Sequence, residues 1–367
     1  MILFDEPYVS PELIDYAAAR REPVLDNAVA RDLSRARALS GAAPLNLLPE
    51  AEFAAQCRKP CPDCAPPRIY TCSENSLAWV CDHVDNAELV SGIEKLKNKA
   101  RTRELLRPLY DDYFYRRLSL DALRRLPFEE LCLPCVVKPS VGFFSLGVRI
   151  VRTCEDWLIE EYIDGDEYAV DVYFDAQGQA VICNILRHEF ASASDVSDRL
   201  YYTGASVVRS HLAEFEAWFN KVNSLLGLRN FPTHVELRRD AQGRIRPIEF
   251  NALRFAGWCC TDVTLFSWGF HTYGCFLEGR RPDWDKALAG REGKLYTLIV
   301  LNKPENCPPV RNFDYEALSR GFARVLHVRK SDFTCYGLFG FLFTETPENQ
   351  RDELDRIARS DLLEFTS

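Results

Sequence analysis

THVELRRDAQGRIRPIEFNALRFAG, residues 233–257, reads as two short strands joined by the polar turn Asp240-Ala241-Gln242-Gly243. Side chains alternate faces along a strand, so His234, Glu236 and Arg238 share one face while Val235 and Leu237 take the other. On the second strand Glu249 and Asn251 fall together, with Ile248 and Phe250 opposite. A hairpin about this turn makes Glu236 a direct or diagonal neighbour of Glu249. Two carboxylates side by side repel each other unless a positive charge sits between them. Hard oxygen ligands without Cys or clustered His suit Mg²⁺ or Mn²⁺, and Mg²⁺ commonly takes one or two carboxylates plus phosphate oxygens. The same face also reads as a solvated hairpin whose acids pair with Arg238, Arg244 or Arg246, so other segments must decide.

The chain has 367 residues, 47% of them hydrophobic and 12% aromatic, enough for two or three folded cores. A net charge of -9 and a pI near 5.4 argue against a general nucleic-acid or membrane-surface binder, which needs a basic face. Small-molecule substrates fit better. The opening MILFDEPY places two acids where a signal peptide needs a basic segment, and no apolar run reaches membrane-spanning length, so a cytoplasmic location is expected. Fourteen cysteines in such a chain are expected as thiols, mostly buried. Cys57, Cys61 and Cys64, with Cys72 nearby, have the ligand count of a four-thiolate zinc site but lack a second CxxC, and the expectation is thiols without metal. Cys132 and Cys135 do form a CxxC, yet it leads into a strand rather than a helix N-terminus, which counts against a redox role.

Residues 1–92 alternate short apolar segments with helical stretches, a βαβ pattern. Ser73 and Glu74 follow the last of these strands, where a parallel sheet presents its ligands, although Ser73 is equally a good helix cap. Residues 93–109, IEKLKNKARTRELLRPL, read as a basic helical stretch ending near Pro108. Residues 133–138, LPCVVK, read as a buried strand delivering Lys138 to the loop PSVGFFSLG, where an ammonium and loop amides could meet oxyanions. Neither GxxxxGK[ST] nor GxGxxG occurs. Residues 158–174, LIEEYIDGDEYAVDVYF, give a strand, a turn at Asp164-Gly165 and an alternating strand. The polar stretch 187–206 reads as a loop, and residues 211–226 as an amphipathic helix with Leu212, Phe215, Phe219, Val222 and Leu226 on one face.

That order of lysine strand, acidic strand-turn and paired-carboxylate hairpin resembles the ATP-grasp superfamily of ATP-dependent carboxylate-amine ligases, from about Lys95 to Gly257. The resemblance implies a fold that is α/β and α+β: a pre-ATP-grasp βαβ domain over 1–92, an ATP-grasp domain over 93–285, and a small C-terminal α+β appendage over 286–367. Within the second, the small ATP-binding subdomain falls at about 128–174 and the metal hairpin at 233–257. It implies that Lys99 and Lys138 bind the nucleotide phosphates, that Ser145 lies in the loop covering them (residues 140–147), that Glu160, Glu161 and Ile163 read the adenine edge, and that Glu167 binds the ribose hydroxyls. Glu236, Glu249 and Asn251 match the family's metal pattern, and Arg254 the basic residue facing a reacting acyl phosphate. Glu74, Arg187, His188, Arg199 and His234 are candidate substrate contacts.

The chain departs from the family in a glycine-poor loop with Phe143 and Phe144, and in the short connection RTCEDW (152–157) where a helix is usual. The function implied is joining a carboxylate to an amine, on amino-acid or peptide-like substrates, through an acyl phosphate with release of ADP and phosphate. ATP and Mg²⁺ (or Mn²⁺) are the implied cofactors. A nucleotide-binding regulatory module without turnover and a small-molecule kinase on the same scaffold are the alternatives. A small acid and a small amine are the expected partners, with no nucleic acid and no membrane, and lid, homodimer surface or partner recognition are the roles open to the C-terminal region.

Overall fold

The structure is a computed structural model that describes residues 1–5, 9–58, 67–131, 133–141, 156–192, 197–257, 260–304, 308–333 and 337–367. The chain divides into two compact units, Met1–Gly165 with Val172–Val181 and Glu216–Phe255, and Asp166–Asp171 with Ile182–Phe215 and Ala256–Ser367. Among the described residues no helix is long and apolar enough to cross a membrane.

The first unit opens with the expected βαβ pattern. Strands β1 (Ile2–Leu3), β2 (Pro23–Leu25), β3 (Asn46–Leu48) and β4 (Tyr70–Thr71) are all parallel, in the order β3-β2-β1-β4. Ser10 and Asn27 start the first two helices, their side-chain oxygens accepting from the amides of Leu13 (3.2 Å) and Ala30 (2.9 Å). The stretch expected as one basic helix over 93–109 is broken. Helices Ala87–Lys97 and Lys99–Leu106 meet at Asn98, whose backbone is extended and whose side chain accepts from the Arg101 amide at 3.0 Å. Asn competes with the helix for backbone donors, and here it caps the second segment. The first helix packs closely at Gly92, where an added Cβ would stand 2.7 Å from the Phe231 ring.

Strands β5 (Tyr115–Ser119), β6 (Cys135–Pro139) and β7 (Asp156–Glu161) form an antiparallel sheet in the order β5-β7-β6. It draws in β5, upstream of residue 128. Strand β6, expected to be buried, is partly exposed, with Val137 open to solvent, because an edge strand has a neighbour on one side only. Next come β8 (Gly165–Phe174), β9 (Ala180–Glu189) and β10 (Leu200–Gly204), and then helix Ala205–Leu226, which starts six residues before the predicted one and buries Phe215, Phe219, Val222 and Leu226. Strands β11 (Phe231–Asp240) and β12 (Ile245–Ala252) make the expected hairpin.

In the second unit, β13 (Lys294–Asn302), β14 (Val325–Lys330) and β15 (Leu338–Pro347) join β9 and β10 in the order β9-β10-β13-β15-β14. The C-terminal strands are therefore integral to a sheet, with Tyr202 paired to Thr297 and Thr297 to Thr344. Strands β13 and β15 read LYTLIVL and LFGFLFT because both faces are covered. Leu295, Ile299, Phe339 and Leu342 share a buried cluster there with Leu354 and Ile357 of helix Asp352–Arg359.

Candidate active site

The hairpin in the first unit turns on the Asp240 carboxylate, which accepts from the amides of Gln242 (3.0 Å) and Arg244 (2.8 Å). Its register sets Glu236 directly opposite Glu249 and His234 opposite Asn251, so these four side chains form a two-by-two patch on one face. His234 Nε2 lies 4.0 Å from Glu236 Oε1. A bulge after Glu236 pairs Leu237 with Pro247 and leaves Ile248 as the extra residue. Proline has no N–H for the ladder, and bulges tolerate it. The Ile248 carbonyl instead accepts from Arg103 Nη2 at 2.9 Å and from Lys138 Nζ at 3.2 Å.

Lys99 is the first residue of its helix. Its amide donates to the Ser140 carbonyl at 2.8 Å, and its Nζ lies 3.0 Å from Glu249 Oε1. One turn on, Arg103 is 3% exposed and donates from Nε to Glu160 Oε2 at 2.8 Å. Tyr113 donates to the same oxygen at 2.9 Å, and Lys138 pairs with Oε1. Lys138 and Glu160 are diagonal neighbours on β6 and β7, which explains their meeting. Burial alone would raise the Glu160 carboxyl, but Arg103 and Lys138 outweigh it and hold the group at about 2. Burial pushes the Tyr113 phenol well above its ordinary value, and Glu160 adds to this. The Glu160 side chain, expected at the adenine edge, is thus a buried template for two cations. Burial raises Glu161, with Asp112 and Asp240 adding to it and Arg246 and Arg244 opposing, and the Ile163 carbonyl accepts from Arg238 Nη1 at 2.7 Å.

Beyond β12, Leu253 takes a left-handed backbone conformation with φ 61°. A branched residue there carries strain of about 1–3 kcal/mol, and the Thr71 amide and hydroxyl hold it by donating to the Leu253 carbonyl at 3.0 and 3.2 Å. The turn sends Arg254 back onto its own strand, where Nη2 donates to Asn251 Oδ1 at 2.7 Å. Arg254 is 6% exposed, and its Nε has no partner among the described residues. Buried Ser140 Oγ likewise has none there. Burial raises the Glu74 carboxyl, and Arg254 and Lys99 oppose that while Glu249 reinforces it, so Glu74 belongs to this group. Ser73 caps no helix. Its hydroxyl donates to Asp5 Oδ2 at 3.0 Å.

In the second unit, Arg187 and His188 lie in β9 rather than in a loop, paired with Tyr202 and Tyr201 of β10. His188 Nδ1 is 2.8 Å from Glu167 Oε1, its Nε2 is 3.1 Å from the Ser197 carbonyl, and its ring stacks on Tyr201. Arg187 pairs with Asp166. Arg199, a candidate substrate contact, donates to the Ser360 carbonyl at 2.6 Å, at the end of helix Asp352–Arg359, where orphan carbonyls attract cations. Ser145 lies outside the described residues, as do Cys61, Cys64 and Cys132. Cys57 Sγ sits 3.8 Å from the Met1 sulfur. Arg103 and Tyr113 escaped the sequence reading. Arg103 had a signal, since it follows Lys99 by four residues on one helix face. Tyr113 had none.

Residues 155–262 match the family model of the ATP-grasp domain. The chain carries an ATP-grasp domain. No curated protein matches the chain. Among solved structures, the chain is similar to the L-amino acid ligase from Bacillus licheniformis, with 17% identity, TM-score 0.69, and coverage of 100% of this chain and 96% of that one. It is similar to the N5-carboxyaminoimidazole synthase from Aspergillus clavatus in complex with ADP and 5-aminoimidazole ribonucleotide, with 13% identity, TM-score 0.64, and coverage of 97% and 96%. Biotin carboxylase from Campylobacter jejuni follows, with 13% identity, TM-score 0.58, and coverage of 94% and 87%. At these identities the likeness establishes the ATP-grasp fold.

The donor set of this candidate site fits Mg²⁺. Glu236 and Glu249 face each other with the Asn251 amide oxygen beside them, all hard donors. Among the described residues no group of three or more His, Cys, Asp and Glu is placed to hold a metal ion by itself, and phosphate and water oxygens would complete an ion's shell here.

Proposed function

We propose that this protein is an ATP-dependent ligase joining a carboxylate to an amine, on amino-acid or peptide-like substrates. The observation that carries the reading is the pairing of Glu236 directly opposite Glu249, with Lys99 against Glu249 and Arg254 against Asn251 on the same face. Bound Mg²⁺ supplies neutralisation of the phosphate oxygens, held by Glu236, Glu249 and Asn251. Lys99 and Lys138 bind the phosphates. A substrate carboxylate oxygen attacks the γ-phosphorus, the bond to the bridging oxygen breaks, and ADP departs. Arg254, with its buried Nε donor, stabilises the oxyanion of the acyl phosphate as an amine nitrogen attacks the carbonyl carbon. The C–O bond then breaks, phosphate leaves, and the amine gives its proton to solvent. Orientation and electrostatics supply the acceleration, and no covalent enzyme intermediate is needed. Glu160, Glu161 and Ile163 of β7 and the turn after it serve the adenine side through backbone groups, and Glu167 the ribose.

The test is incubation with Mg-ATP and pools of amino acids, dipeptides and small polyamines, scoring phosphate and pyrophosphate separately. Acceptor-dependent phosphate release that is lost in Glu249→Gln supports the ligase. Pyrophosphate as product, or full activity in that variant, removes the hairpin from the mechanism, and a stable phosphorylated acid without amine incorporation makes the protein a kinase.

A further inference from the structure

Three donors converge on one carboxylate in the interior of the first unit. Glu160 accepts from Arg103 Nε (2.8 Å) and Tyr113 (2.9 Å) on Oε2, and from Lys138 on Oε1, where Arg103 Nη2 also reaches it at 3.4 Å. Both oxygens are therefore committed to protein donors. The two cations share a second acceptor, the carbonyl of bulge residue Ile248, immediately before Glu249. Nothing in the chemistry assigned above uses Arg103, yet a guanidinium this deeply buried is rare unless its full fork is engaged.

We propose that Arg103 is a positioning residue for the nucleotide phosphates, acting through Glu160 and the Ile248 carbonyl on Lys138. This rests on the reading of Lys138 as a phosphate ligand. The physical reason is competition. A lysine alone with a buried carboxylate forms a tight pair, its ammonium drawn in and its charge cancelled. With Arg103 holding Oε2 and part of Oε1, Glu160 is shared between two cations, and Lys138, the more exposed partner, keeps positive potential for an anion. The planar fork also fixes the Ile248 carbonyl, the second acceptor of Lys138. Lysine cannot replace that function, because a single ammonium does not bridge the carboxylate and the carbonyl with fixed geometry.

A double-mutant cycle on Mg-ATP binding, read by calorimetry, tests this. Arg103→Met is expected to weaken Mg-ATP binding about tenfold, and to change it less than twofold when Lys138→Met is already present. Arg103→Lys, which keeps the charge and loses the fork, is expected to fall between Met and Arg, and it carries the same cycle if Arg103→Met fails to fold. Equal factors in both backgrounds, or Arg103 variants that bind Mg-ATP like the parent, overturn the proposal. If Lys138→Met itself binds Mg-ATP as tightly as the parent, the phosphate reading of Lys138 falls and this inference with it. If only the Arg103 variants are silent, the phosphate reading stands and the inference alone is lost.

Discussion

Replacing Glu160 by glutamine tests the buried charge cluster through pH. The carboxyl moves from 4.5 in an unfolded chain to about 2 in the fold, burial being outweighed by Arg103 and then Lys138. A carboxyl with a depressed folded pKa stabilises the fold above its unfolded value and loses that contribution as pH falls through the folded one. The window is therefore pH 4.5 down to about 2. Each unit of pKa is worth about 1.4 kcal/mol, so ionised Glu160 favours the fold by about 3 kcal/mol at neutral pH. An independent estimate agrees, since removing one partner of a buried ion pair costs about 3–5 kcal/mol. Glutamine keeps the volume and cannot ionise. Urea unfolding followed by circular dichroism should thus show Glu160→Gln less stable than the parent by about 3 kcal/mol at pH 7, with the gap closing to near zero by about pH 2. Other carboxylates titrate alike in both proteins and cancel in the difference. A gap that stays constant from pH 7 to pH 2 would refute the view that Arg103 and Lys138 stabilise the charged form.

Three further outcomes are expected. Burial pushes the Cys57 thiol up to about 12, so at pH 8 iodoacetamide should leave it unmodified in the fold and label it on adding denaturant, as mass spectrometry of the Cys57 peptide will show. Gly165→Ala places a Cβ 2.1 Å from the Arg239 carbonyl oxygen at φ +153°; thermal unfolding should reveal a loss of about 2 kcal/mol or more, and an unchanged midpoint would contradict the close approach. Buried Asp171 accepts from the Ala256 amide at 2.8 Å, Asn184 at 3.2 Å and Thr261 at 3.3 Å. Asp171→Ala should therefore cost about 3 kcal/mol in urea denaturation, and Asp171→Asn, which keeps an acceptor, clearly less.

Much of the first unit was legible because its cues are local. Ser10 and Asn27 cap helices within three residues of themselves, and the Asp240 turn closes on amides two and four residues away. Strand alternation then fixes which side chains share a face, and the sequence alone places His234 with Glu236 and Glu249 with Asn251, the pairs that the hairpin register joins into one patch. The break at Asn98 was missed, although Asn in a helical run is itself a warning.

What only the tertiary structure decided are features whose causes lie far apart in sequence. The bulge that frees the Ile248 carbonyl makes sense only beside Arg103 and Lys138, 145 and 110 residues earlier. Arg103 and Glu160 are 57 residues apart, and no periodicity in either segment announces that one will neutralise the other in the buried interior. Likewise the pairing of β13 with β10 depends on hydrogen bonds between strands about a hundred residues apart, and no local apolar pattern names its partner. Composition, alternation and turn chemistry act over a few residues and determine elements and faces. Buried charge and strand neighbours are settled by desolvation and by the hydrogen bonds that compensate it, and those exist only once the chain has closed on itself.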